Sequence, residues 1–129
     1  MGFILGVVGC AQQLETANAG GGKVLQVVTA VKTDTFSSTS TNFTDITGLT
    51  ASITPSASNS KVLILVNFDT GADSGYKYNF KLVRASTDIS IGDADGSRAR
   101  ISTFSRSDGS TFGESHCIIH LDSPSTTSS

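Results

Sequence analysis

Residues 61–70 (KVLILVNFDT) are the only long run that is apolar on both sides of an extended chain. Val62, Ile64, Val66 and Phe68 line one side of such a strand, and Leu63 and Leu65 the other. A strand buried on both faces belongs in the middle of a sheet. Residues 23–33 (KVLQVVTAVKT) repeat the pattern, with Leu25, Val27 and Val31 on one face and Val24, Val28 and Ala30 on the other.

In a two-layer β fold each strand gives one face to the core and the other to water. These two strands carry aliphatic residues on both, so something must cover the second face. A neighbouring subunit under closed symmetry is the usual cover. Leu25, Val27, Val31, Leu63 and Leu65 are therefore the expected assembly interface, and a homo-oligomer the expected state.

The remaining composition agrees. Ser and Thr exceed a quarter of the 129 residues, β-branched residues are plentiful and helix formers are scarce, which favours an all-β fold of one domain that needs neither metal nor disulfide. A net charge of −2 with both signs interspersed gives no footprint for a nucleic-acid duplex or an anionic membrane. No nucleic-acid partner and no membrane span are expected. Of the two cysteines, Cys117 alternates with Ser115, Ile119 and Leu121 and reads as a small buried hydrophobe.

In chain order, residues 1–22 read as a short N-terminal arm. Val7-Val8-Gly9-Cys10 has the general form of a bacterial lipoprotein cleavage site, but no basic residue precedes it and the apolar run is short. An apolar segment that docks on a neighbouring subunit fits better. Residues 11–19 have passable helix propensity, and Gly20-Gly21-Gly22 supplies a hinge before the domain at 23–129. Short strands are expected at 42–47 and 49–54, broken at Gly48 and leading through Pro55 into a hairpin with the central strand. Residues 76–85 alternate, with Tyr76, Tyr78, Phe80 and Leu82 inward. Further strands are expected at 88–91, 98–105 and 114–121, with turns at 71–75, 92–96 and 107–110. Short strands with turns about every ten residues indicate a β-sandwich, jelly-roll-like.

Chemistry-bearing motifs are few. Asp93-Ala94-Asp95-Gly96 has the start of a calcium loop, but position 104, where the bidentate Glu would stand, is Phe. His116 and His120 share one side of a strand about 13 Å apart, too far for one zinc ion, and read as exposed or interface histidines. No G-x-S-x-G elbow, phosphate loop or obvious carboxylate orienter for a histidine is present, so neither an enzyme nor a cofactor is expected. The loops at 71–75 and 92–98 are candidate ligand sites, through Asp73, Tyr76, Asp93, Asp95 and Arg98.

Four ordered blocks, at 22–33 (GKVLQVVTAVKT), 47–66 (TGLTASITPSASNSKVLILV), 82–100 (LVRASTDISIGDADGSRAR) and 121–127 (LDSPSTT), resemble a recurrent domain of bacteriophage virion proteins. These are common in phages of marine and cyanobacterial hosts and are usually labelled tail fibre or structural protein. The resemblance implies a jelly-roll-like β-sandwich on the virion surface, often trimeric and without catalytic residues. In related proteins the last block leads into further strands, which implies a shortened domain here. The short arm is unlike a fibre shaft, so a capsid-decoration role stands beside the fibre one. The expected function is a non-enzymatic virion structural protein that meets other virion proteins through its arm and contacts a host surface glycan. The alternatives are a glycan-binding receptor module and a bacterial surface lipoprotein or filament subunit.

Overall fold

The computed structural model of the chain describes residues 7–15, 23–72, 75–106 and 112–128. These residues contain strands, turns and irregular chain but no helix, so the all-β expectation holds across them. The strands are β1 (Val7–Glu15), β2 (Lys23–Lys32), β3 (Lys61–Ala72), β4 (Lys77–Phe80), β5 (Leu82–Arg84), β6 (Thr87–Ile89), β7 (Thr103–Arg106) and β8 (Phe112–Asp122).

The main sheet has four strands in the order β2-β1-β3-β8, all antiparallel. β3 is hydrogen-bonded on both edges, the position its two-sided apolar pattern demands. β1 lies between β2 and β3, so Ala11–Glu15 are strand where helix propensity was noted, and residues 16–19 lie outside the described ones. Pairing on both edges outweighs the small propensity difference that favoured helix. A register shift between Gln13 and Leu14 makes Leu25 the extra residue of a bulge, which interrupts the alternation that placed it with Val27 and Val31.

One face of the sheet is covered. Phe68 and Ile118 form its buried centre, with Ile46, Leu49, Val66, Phe80 and Leu82 packed around them. Ile46 and Leu49 come from the long connection between β2 and β3, where Leu49 N–H donates to Ile46 C=O at 3.0 Å across a turn through Gly48. The strands expected at 42–47 and 49–54 do not form: two apolar anchors hold this segment to the core, and its remaining polar residues stay irregular at the surface. No hairpin precedes β3, because β1 and β8 already occupy both its edges.

The strand expected at 76–85 divides into β4, which pairs β7, and β5, which pairs β6. Ser102 explains the break: its N–H donates to Phe80 C=O at 2.8 Å and its Oγ accepts from Leu82 N–H at 2.9 Å, taking both backbone groups at the junction. Residues 98–102 are likewise irregular, and of the strand expected at 98–105 only 103–105 is strand, within β7. Tyr76 is exposed rather than inward, since it precedes β4. The small sheets are tied to the large one by Arg84, whose Nη1 lies 2.7 and 2.5 Å from the two oxygens of buried Asp122. Lys81 pairs with Asp88 at 2.6 Å and stands 4.4 Å from the Phe43 ring centre. The expected turn at 107–110 lies outside the described residues.

Candidate assembly face

Among the described residues, none covers the opposite face of the main sheet, which is open. Its register rows run Val27–Gln12–Leu63–Leu121, Thr29–Cys10–Leu65–Ile119 and Val31–Val8–Asn67–Cys117. On the edge strands Val27 is 54% exposed, Val31 60%, Ile119 67% and Leu121 55%, whereas Leu63 and Leu65 on the central β3 are half-buried. Of the expected interface, Val27, Val31, Leu63 and Leu65 share this face, and Leu25 is exposed at the bulge. Ile119 and Leu121, which sequence reasoning left out, are their direct continuation on β8.

Cys117 also lies on this face and is exposed, not buried, because no second layer of described residues covers that side of the sheet. The face is framed by charge. Lys61 and Asp69 share its parity on β3, and each is held by a serine: Lys61 Nζ donates to Oγ of Ser123, just past β8, at 2.6 Å, and Ser115 Oγ on β8 donates to Asp69 Oδ1. The even spacing of the two residues along one strand was visible in the sequence.

On the covered face a second group of polar side chains joins the layers. His116, 10% exposed at its side chain, stacks on Phe68 with ring centres 5.0 Å apart and lies 5.7 Å from Phe80. Its Nε2 is 3.2 Å from Thr70 Oγ1 on β3 and its Nδ1 is 3.3 Å from Thr103 Oγ1 on β7. Glu114 Oε2 lies 3.7 Å from Nε2 and accepts from Ser105 Oγ at 2.5 Å. His116, expected as an exposed or interface histidine, is thus an interior one with a carboxylate beside it. A period-2 reading finds Glu114, but nothing in the sequence links Thr70 and Thr103 to the ring. Both ring nitrogens and the carboxylate are engaged by hydroxyls of facing strands, and no buried side-chain nitrogen or oxygen among the described residues lacks a partner. The cluster acts as a clasp between β7 and the β3–β8 pair.

The described residues of the two expected ligand loops make local contacts, each within its own segment. Asp73 lies outside the described residues. Tyr76 is exposed, its ring centre 6.5 Å from that of Tyr78. Asp93, Asp95 and Arg98 form a self-contained turn: Arg98 Nη2 donates to Asp93 C=O at 3.0 Å, its N–H donates to Asp95 C=O at 3.1 Å, and Gly96 has φ 52°. Arg100 Nε closes the same loop on Gly92 C=O at 2.9 Å. Among the described residues no group of three or more His, Cys, Asp or Glu is placed to hold a metal ion, and no helix is long and apolar enough to cross a membrane.

No family model matches the chain, and no curated protein or solved structure is similar to it at a significant level.

Proposed function

We propose that this chain is a non-enzymatic structural subunit of a bacteriophage virion, displayed on the particle surface as a fibre or appendage component or a capsid decoration. It assembles as a homo-oligomer through the open face of the main sheet. The observation that carries the assembly reading is the set of exposed aliphatic side chains on the two outer strands of this face, Val27 and Val31 on β2 and Ile119 and Leu121 on β8 beside Leu63 and Leu65. Isolated exposed leucines need no explanation, but a contiguous apolar patch rimmed by polar groups marks an interaction surface. The virion assignment rests on the resemblance of the four sequence blocks. In this reading the fold is a jelly-roll-like sandwich, with β4–β7 and β5–β6 belonging to the layer that packs over Phe68 and Ile118.

Gold-labelled antibody against the chain, applied to purified particles of the virus that encodes it, tests the proposal. Label on the particle surface is expected, and particles without it would end the virion reading. The exposed Tyr76, tilted against Tyr78, favours a second role at the same location, contact with a host surface glycan. Loss of glycan-array binding on Tyr76→Ala is its expected outcome, and an array on which the oligomer binds nothing removes it.

A further inference from the structure

We infer that the open face is covered by a second copy of this chain, stacked about a two-fold axis that runs across the strands through the Leu65–Ile119 row. This rests on the assembly reading above and adds the partner and its orientation to it.

Charge selects the orientation. Lys61 and Asp69 stand at opposite ends of β3 on the open face, about 27 Å apart at ~3.4 Å per residue. The described side chains between them on β3 and β8 are uncharged: Leu63, Leu65, Asn67, Cys117, Ile119 and Leu121. A two-fold axis across the strands reverses the second copy, so each Lys61 faces Asp69 of the other copy at both ends of the stack. An axis along the strands puts the two lysine ends together and the two aspartate ends together. Aligned sheets pack ~10 Å apart and turned by ~30°, which keeps each opposite-charge pair near the Debye length of ~8–10 Å.

Shape agrees with charge. On the axis, Leu65 and Ile119 meet their own counterparts, and Val27 comes over Val31 of the second copy because their rows lie equally far to either side. Four strands at ~4.8 Å make a face about 19 Å wide, and over its length the projected area is roughly 500 Å². Two such faces bury about 1,000 Å² together, the lower mark for a specific interface. Two-fold pairing is also the commonest closed symmetry, and it uses one patch twice.

The test is charge reversal in the full chain, read by light-scattering mass over a concentration series at low salt. The unmodified chain should reach twice the monomer mass. Lys61→Asp and Asp69→Lys should each weaken self-association roughly tenfold, since each turns two symmetric attractions into repulsions. The two reversals together should restore it. In a Cys10→Ser background, maleimide labelling of Cys117 should slow as the dimer forms. Far-UV circular dichroism confirms that each variant is folded. A dimer that the double reversal fails to rescue, or a trimer or larger ring, would overturn the proposed pairing while leaving the assembly reading intact. A chain that stays monomeric with a freely reactive Cys117 overturns self-pairing altogether. In that case its presence on purified particles would assign the face to another protein, and its absence would remove the assembly reading as well.

Discussion

Replacing His116 by phenylalanine separates the packing of this ring from its hydrogen bonds. The new ring keeps the stack on Phe68, now at 5.0 Å, and the contact with Phe80, at 5.7 Å, so little apolar contact is lost. What goes is the partner of two hydroxyls. Thr70 Oγ1 is among the most buried side-chain groups, with only Glu114 C=O left at 3.5 Å, while Thr103 is less enclosed and recovers water more readily. A buried hydroxyl left with only that long contact loses most of its hydrogen bonding, against a full cost of about 1–3 kcal/mol, so His116→Phe should destabilise the fold by about 1–2 kcal/mol. The chain has no Trp, so urea unfolding followed by far-UV circular dichroism is the assay. At a typical slope the midpoint falls by on the order of 1 M. Thr70→Val in the same series closes a double-mutant cycle: with the ring already apolar, removing the hydroxyl should cost about 1 kcal/mol less than it does in the unmodified chain. If the two changes add within about 0.3 kcal/mol, the clasp holds nothing and the reasoning from burial fails.

Three other outcomes are expected. Arg84→Ala strands the buried Asp122 carboxylate and should lower stability by about 1–3 kcal/mol in the same assay, discounted for the partial exposure of the arginine; Arg84→Lys, unable to reach both oxygens, should recover only part. Gly48 has φ 85°, a conformation that strains any side chain, so Gly48→Ala should cost about 1–2 kcal/mol although the space beside Lys32 would admit a methyl group. The hydrogen bond from Lys32 holds the exposed Asp34 carboxyl below its ordinary value; whatever stability the contact gives is present above the unfolded pKa and lost as pH falls through the folded one. An NMR titration should place the Asp34 midpoint lower in the unmodified chain than in Lys32→Met, and equal midpoints would refute the contact.

The long strands were legible because burial wrote a period into them. β2, β3 and β8 lie within a residue or two of their expected bounds, since each needs apolar side chains at alternate positions to pair and pack. β1 was not legible as strand: its Gly9, Ala11, Gln12 and Gln13 have little β propensity, and its place comes from pairing with two partners at once. The 42–54 segment erred the other way, since Thr and Ile favour strand locally but both edges of β3, the partner expected for a hairpin, are taken by β1 and β8. For the open face, alternation found Leu63, Leu65, Val27 and Val31, but not the extra residue at Leu25 or the matching column on β8. The surroundings of His116 depend on Thr70 and Thr103, far from it in sequence, and no local rule brings them to one ring.

The place of β1 gives the N-terminal segment a role in holding the sheet together. Trimming the chain as far as the glycine run would remove the ribbon that bridges β2 and β3, leaving their backbones roughly two strand spacings, about 10 Å, apart. Neither could then bond the other, and both would carry a raw edge into solution, open to any extended peptide that matched it. Fusion tags and protease sites are therefore better placed at the polar far end of the polypeptide, where residues 123–128 lie beyond the last strand.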